Sequence, residues 1–322
     1  MIINSQFKPA WWLPGAHTQT LWASMTNRFI NLEIRRERLE LADGDFIDLD
    51  WTTHRTGPIV LILHGLQGSS DSNYARGLMQ ACHAKGWRAI VMHFRGCSGE
   101  PNRLARAYHS GETNDLHTVI DILHRREPET PICAAGYSLG GNVLLKWLGE
   151  YPVKIPLSAA AAVSVPYELK NGAQQLDTGF SKIYQRHLLK SLLKATLKKQ
   201  ELLEGKIDFV RFQAIKTIYD FDDAVTAPLH GFKDAEEYYS RSSSRQYLKH
   251  ICLPTLLLHA ENDPFMTTKA IPGKEELSDC TTLELSASGG HVGFVSGSWP
   301  WSTNYWLENR LIEYFSGHFS AD

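Results

Sequence analysis

Gly136-Tyr137-Ser138-Leu139-Gly140, followed by another glycine at 141, is the stretch that decides how this chain is read. It stands directly between a short apolar run, Ile132 to Ala135, and a helix-like segment, Asn142 to Glu150. A strand that enters a helix through so sharp a turn forces the central serine into a strained backbone conformation. The glycines two residues before and after it leave room for that turn. The serine oxygen then projects outward, and the next amide faces whatever negative charge develops on an attacked carbonyl. The pentapeptide alone is common; the strand before it and the helix after it give it meaning.

A chain of 322 residues can bury a sizeable core as one large domain or two. Its 33 basic and 35 acidic residues leave a formal charge of −2, which gives no electrostatic reason to expect a nucleic-acid partner. The five cysteines (82, 97, 133, 252 and 280) are scattered and odd in number, with no C-x-x-C pair. That pattern points to reduced thiols and a cytoplasmic location. The opening MIINSQFKPAWWLPG lacks the basic and apolar regions of a signal peptide, and the run from Ile155 to Val165 is too short to span a bilayer. No histidine–carboxylate cluster has metal-ligand spacing and no glycine-rich phosphate loop is present, so neither metal nor cofactor is expected. The oligomeric state cannot be read from the sequence.

Strand and helix signals alternate. Residues 34–41 and 46–52 read as paired strands around Asp43-Gly44-Asp45, and Ile59 to Leu63 is a continuous apolar run typical of a strand buried on both faces. A helix at 73–85, a strand at 88–94, a helix at about 113–126 and a strand at 131–135 lead to the serine turn. Strands follow near 157–165, 253–259 and 282–286, and 303–316 reads as a closing helix. The expected class is α/β, a mostly parallel central sheet with helices on both faces. The pattern breaks over residues 167–250, which are rich in helix formers and too long for a structureless loop. This stretch is expected to be an inserted helical cap over the carboxyl ends of the strands, with residues 1–166 and 251–322 forming the core and an N-terminal arm.

A serine hydroxyl is a weak nucleophile near neutral pH and needs an adjacent base held by a third group. With this layout the acid should follow a late core strand and the base should come last. Asp263 lies just past the run Leu256 to His259, with Pro264 stiffening the turn; Glu261 is the nearest rival but falls too close to the strand. The other usual location carries Val163-Ser164-Val165-Pro166 and no acid, which strengthens Asp263. Gly289-Gly290-His291-Val292-Gly293 supplies the base, its glycines letting the backbone approach. Among fourteen histidines, position singles out His291. Amide donors for a tetrahedral oxyanion are expected from Leu139, immediately after Ser138, and from Leu66 in His64-Gly65-Leu66-Gln67-Gly68.

Together His64 to Gly68, His93-Phe94-Arg95-Gly96-Cys97-Ser98-Gly99, Tyr108 to Leu116, the turn at 136–141, Tyr219 to Asp223 and Gly290 to Phe294 resemble the YheT-like α/β-hydrolases. Pro9 to Leu13 and His17 to Leu21 are similar too, so the likeness runs from about residue 7 to 316. It implies an α/β-hydrolase fold, a Ser138–Asp263–His291 triad and hydrolysis of small-molecule or lipid carboxylic esters. Relatives in eukaryotes include lipases, and fungal ones pass acyl groups to alcohols, so acyl transfer is the alternative outcome. A non-catalytic ligand-binding scaffold is the rival from another class.

Other features read as scaffold. Ser110, Thr113 and Asp115 read as a helix N-cap with acidic first-turn residues, Cys97 is not expected to act as a nucleophile, and Trp11, Trp12 and Trp22 are expected to pack against the core or cap. Lys182, Arg186, Lys190, Lys194 and Lys198 recur every four residues, with Leu188, Leu189, Leu192 and Leu193 largely on another face. Such a helix allows weak peripheral contact with an anionic membrane. The preferred reading is that its leucines pack inward and its lysines face water.

Overall fold

The computed structural model describes residues 1–26, 30–153 and 155–319. Its centre is built from five strands that are buried along their whole length: β4 (Ile59–Leu63), β5 (Arg88–Met92), β6 (Ile132–Tyr137), β7 (Ala159–Val163) and β8 (Thr255–Ala260). Unbroken apolar runs of this kind arise when helices cover both faces of a parallel sheet. With β1 (Ile2–Asn4), β2 (Ile34–Glu40), β3 (Phe46–Thr52) and β9 (Thr281–Ser286) they form one nine-stranded sheet in the order β1-β9-β8-β7-β6-β4-β5-β3-β2. β3 is antiparallel to both of its neighbours, β2 and β5, and the other pairings of this sheet are parallel.

Alternation along each strand feeds two cores. Val60 and Ile62 join Leu78, Met79 and Cys82 of α2 (Asn73–Ala84) and Leu311 and Phe315 of α8 (Trp306–Phe319) on one face. Leu61 and Leu63 join Val119 and Leu123 of α3 (Asn114–Arg126) and Val143 and Trp147 of α4 (Leu139–Glu150) on the other. The helix after β4 therefore packs on one face and the helix after β6 on the opposite face, although the two strands are neighbours. That divergence opens a crevice at their carboxyl ends, where open α/β sheets bind ligands.

Between β7 and β8 no strand occurs among the described residues. Among the described residues the segment holds α5 (Leu169–Leu176), α6 (Lys182–Leu197), α7 (Ala235–Ser242) and seven short helical pieces. It has its own apolar cluster, including Leu169, Leu189, Leu192, Phe212, Phe221 and Tyr238, which Leu66 and Ala105 border from below. On α6, Leu189 and Leu192 are buried, whereas Lys182, Arg186, Lys190, Lys194 and Lys198 are all exposed. Lys199 alone turns inward. Its Nζ donates to Asn102 Oδ1 at 2.7 Å and to the carbonyls of Ala105 and Arg106 at 3.1 and 3.0 Å, tying the segment to the core.

Several boundaries differ from the sequence reading. β6 continues to Tyr137 and α4 begins at Leu139, because the turn between them consumes a single residue. Three elements carried no readable signal: β1, α1 (Ala16–Met25) and the hairpin of β10 (Val295–Trp299) with β11 (Ser302–Tyr305). The last helix starts at Trp306 rather than 303 because the hairpin takes those residues. The aromatic arm packs on this hairpin: Trp12 meets Trp22 edge-on at 4.6 Å, and the Trp11 indole donates to the Ser298 carbonyl. At the start of α3, Thr113 is the N-cap and Asp115 lies in the first turn, as the sequence reading has it, but neither side chain caps the helix. The Thr113 hydroxyl donates to Glu150, and Asp115 takes a two-pronged ion pair from Arg95 at 2.7 Å. A buried guanidinium is a stronger attractor for that carboxylate than a helix amide.

Candidate active site

Ser138 is the single residue between β6 and α4, with φ 50° and ψ −117°. Its N–H donates to the Val163 carbonyl at 2.8 Å, and its own carbonyl accepts from Asn142 at 3.0 Å, so the strained conformation is held from both sides. The flanking glycines are demanded by packing. A Cβ on Gly136 would lie 2.6 Å from the Gly140 carbonyl oxygen, and one on Gly140 would lie 2.5 Å from those of Leu63 and His64.

His291 arrives on the loop after β9. Its N–H donates to Thr20 Oγ1 at 2.9 Å, and the following amide, Val292, donates to Ser164 Oγ at 3.0 Å. Phe265 stacks flat on the imidazole, with ring centroids 3.8 Å apart and planes 3° apart. Held this way, His291 places Nε2 at 2.9 Å from Ser138 Oγ and Nδ1 at 2.9 Å from Asp263 Oδ2. A carboxylate at Nδ1 selects the tautomer with the proton there, leaving the Nε2 lone pair toward the serine. Asp263 is 4% exposed, and its other oxygen accepts the Phe265 N–H at 2.8 Å. Glu261, the rival acid, is exposed directly after β8. The structure thus brings Ser138, Asp263 and His291 together and leaves Glu261 outside.

The loop after β4 lies against the serine, since a Cβ on Gly65 would be 3.4 Å from Ser138 Cβ. Within it, Gly65 N–H donates to the Tyr74 hydroxyl at 2.8 Å, and Gln67 N–H donates to the Tyr108 hydroxyl at 2.8 Å. The amides on either side of Leu66 are therefore occupied, and Leu66 lies between them on the wall of the cavity that Ser138 enters. Leu139 carries the first amide of α4, which has no acceptor within its own helix. His64 braces the loop from behind: Nδ1 donates to the Gly65 carbonyl and Nε2 accepts from Phe94 N–H. Burial lowers its pKa to about 3, so it is a neutral strut. Cys97 is equally inert, its thiol pushed up to about 12 by burial.

Sequence reasoning missed Thr20, Tyr74, Tyr108, Ser164 and Phe265. Thr20 and Tyr108 lay inside motifs already marked and Phe265 beside one, but without an assigned role; Tyr74 had no local signal. Above Ser138 the site opens into a cavity of about 700 Å³. Thr20, Met25 and Leu307 line one side, and Leu169, Leu192 and Phe221 of the inserted segment line the other.

A strained serine at a strand–helix turn, beneath such a cavity and bonded to a carboxylate-held imidazole, defines a protein class. The model of the alpha/beta hydrolase fold matches residues 58–298, and the chain belongs to that family as an esterase-type hydrolase. Among curated proteins it is 39% identical to the "Putative esterase YheT" of Escherichia coli, an alignment covering 99% of this chain and 95% of that protein. It is 31% identical to Phospholipase ABHD3 of Mus musculus, over 94% of this chain and 77% of that protein. The likeness to YheT-like hydrolases seen in the motifs therefore extends over the whole chain. Among solved structures, the esterase Pf2001 of Pyrococcus furiosus superposes with a TM-score of 0.58. It shares 15% identity over 98% of this chain and 99% of that chain, which is a likeness of fold.

Proposed function

We propose that the chain hydrolyses carboxylic esters through an acyl-enzyme on Ser138. The observation that carries this reading is the His291 imidazole, 2.9 Å from the serine oxygen on one side and 2.9 Å from the Asp263 carboxylate on the other. In the first half-reaction the Ser138 oxygen attacks the ester carbonyl while Nε2 of His291 takes its proton. The Leu66 and Leu139 amides receive the charge that forms on the carbonyl oxygen, a contribution of roughly 10²–10³ in rate per donor. His291 then returns the proton to the departing alcohol as the carbon–oxygen bond breaks, and Asp263 stabilises the transient imidazolium. Water, deprotonated by the same imidazole, attacks the acyl-enzyme and releases the acid. An alcohol in place of water would give acyl transfer by the same steps.

The substrate class follows from the cavity. Leu169, Leu192 and Phe221 suit an apolar acyl chain, and the esterase and phospholipase names of the relatives support small-molecule or lipid esters. We read residues 167–250 as the cap that supplies this wall. Its lysine row is read as solvent-facing, because the leucines of α6 are already used in the inner cluster. No described helix is long and apolar enough to cross a membrane, and five free cysteines accord with the cytoplasm.

A fluorophosphonate probe tests the reading. It should label Ser138 in the parent protein and nothing in Ser138→Ala, which should also lose on the order of 10⁴–10⁶ in ester turnover. An unlabelled parent, or a variant within tenfold of it, would overturn the assignment. Adding an alcohol acceptor to a chromogenic ester assay measures the share of acyl transfer.

A further inference from the structure

Two carboxyl residues that the proposed chemistry does not use line the cavity above Ser138: Glu308 of α8 and Asp222 of the inserted segment. Asp222 opens a single π-helical turn, Asp222–Thr226, directly after the short helix Ile218–Phe221 of the inserted segment. Turns of this kind re-aim side chains and are frequent at functional sites. Asp222 lines the same cavity as Ser138, together with Thr226, Tyr238 and Tyr239. The Thr226 hydroxyl donates to Oδ1 at 2.7 Å and the Tyr239 hydroxyl donates to Oδ2 at 2.7 Å. Each carboxylate oxygen therefore keeps accepting capacity.

The groups that act on Asp222 among the described residues are those two hydroxyls, and burial pushes its carboxyl up to about 6. It is still largely ionised at neutral pH. Asp222 is half-buried and lines the cavity. The neighbouring wall, Leu169, Ala173, Ile218 and Phe221, is apolar. An ionised carboxylate in such a wall is costly unless a donor reaches it.

The character of that donor can be narrowed. His109 lines the cavity, with its ring 5.6 Å from that of Tyr238. It is held neutral by burial first, then by His230 and by the positive charges of Lys146 and Arg106. Those two cations are themselves paired, Arg106 with Glu112 and Lys146 with Glu150, so they set no bare charge beside Asp222. A hydroxyl matches the acceptor, and the two protein groups already on Asp222 are hydroxyls.

We propose that Asp222, set between Thr226 and Tyr239, is a second binding point in the cavity that accepts a hydrogen bond from a hydroxyl of the substrate. The inference rests on the esterase reading for its meaning, but not for its test. The hydroxyl could belong to the acyl chain or to the alcohol half of the ester, and the experiment separates these.

Equilibrium binding is measured by calorimetry on the Ser138→Ala protein, using a medium-chain series of alkanols and the matching α,ω-alkanediols. At one or more chain lengths the diol should bind about tenfold tighter than the alkanol, the effect of one hydrogen bond to a charged acceptor. Introducing Asp222→Asn should bring that ratio close to one; if this variant shows no cooperative melt, Asp222→Ser serves the same purpose. Turnover by the parent protein then locates the hydroxyl. Faster cleavage of ω-hydroxyacyl p-nitrophenyl esters than of plain ones assigns it to the acyl half. Faster cleavage of a monoacylglycerol than of the corresponding methyl ester assigns it to the alcohol half. Equal binding of diols and alkanols at every length overturns the proposal. So does tighter binding of amino-terminated alkanols than of diols, or a ratio that survives both substitutions. Failure of the esterase reading would show separately, as ester turnover persisting in Ser138→Ala.

Discussion

Replacing Asp263 by asparagine should nearly abolish turnover without disturbing the fold, and the structure says why a change of one atom type does so much. Asp263 presents Oδ1 to the Phe265 N–H at 2.8 Å and Oδ2 to Nδ1 of His291 at 2.9 Å. An asparagine can keep only one oxygen. The Phe265 amide is a fixed backbone donor, and facing it with the NH₂ group would leave a part-buried N–H unpaired at a cost of about 1–3 kcal/mol. The side chain therefore turns its oxygen to Phe265 and its NH₂ to His291. A donor at Nδ1 forces the ring proton onto Nε2, where it points at Ser138 Oγ. The base is then already protonated on the face where it must accept a proton. Substitutions that trap a triad histidine in the wrong tautomer lower kcat by roughly 10⁴, equivalent to about 5.5 kcal/mol in the barrier.

Glu261→Gln is the matched control. Glu261 is exposed, and among the described residues its hydrogen bond is a backbone N–H to Ser286, so activity should stay within about threefold of the parent, as for most surface substitutions. The assay is p-nitrophenyl ester hydrolysis at saturating substrate, with active enzyme counted by fluorophosphonate titration and folding checked by thermal melts. Asp263→Asn retaining a tenth of the parent kcat, or Glu261→Gln falling below it, would refute the assignment.

Tyr108→Phe should leave the Gln67 amide unpaired and loosen the loop that carries Leu66. We expect kcat to drop roughly tenfold with KM little changed, and an equal rise in KM would show that the tyrosine binds substrate instead. Gly140→Ala should destabilise by about 3 kcal/mol or prevent soluble expression, because the new Cβ meets the backbone oxygens of Leu63 and His64 at 2.5 Å; a melting temperature equal to the parent's would contradict that packing. Acid should unfold the protein from below pH 6.5. Burial lowers the pKa of His64 to about 3 and of His230 and His259 to about 4. Across that window the unfolded chain binds more protons, so stability falls as pH falls. Melting temperatures followed from pH 7 to 4 should decline steadily, and His259→Gln should flatten part of the slope.

What the sequence made legible is what depends on neighbours in the chain. The run Ile59 to Leu63, the glycines around Ser138 and those before His291 each announce a local backbone requirement, and the strand, turn and loop stand where those requirements put them. Asp263 could be chosen over Glu261 because a strand end fixes where its next side chains point. The features missed depend on partners far along the chain. Thr20 holds His291 from 271 residues away, and Ser164 holds Val292 from 128. β1 has only three residues and exists because it pairs with β9. Asp115 reads as an ordinary acidic first-turn residue, and its pairing with Arg95, 20 residues back, is not visible locally. In each case the local propensity was real and a tertiary contact outweighed it.

The backbone shows how those distant contacts serve the site. Among the described residues, the non-glycine positions with positive φ are Gln67, Ser138, Ser164, Val292 and Phe294. All of them lie in loops that follow β4, β6, β7 and β9, at the carboxyl edge of the sheet. Each such conformation costs on the order of 1–3 kcal/mol and persists only where surrounding structure over-determines it. The loops supply that restraint to one another. Gln67 is held by Tyr108, Ser138 by the carbonyl of Val163, and Val292 by the hydroxyl of Ser164, itself a strained residue. Strain at one position is thus fixed by a hydrogen bond from a neighbouring segment, and the sequence-distant contacts that local reading could not find are the ones that hold Ser138, His291 and the Leu66 loop in register.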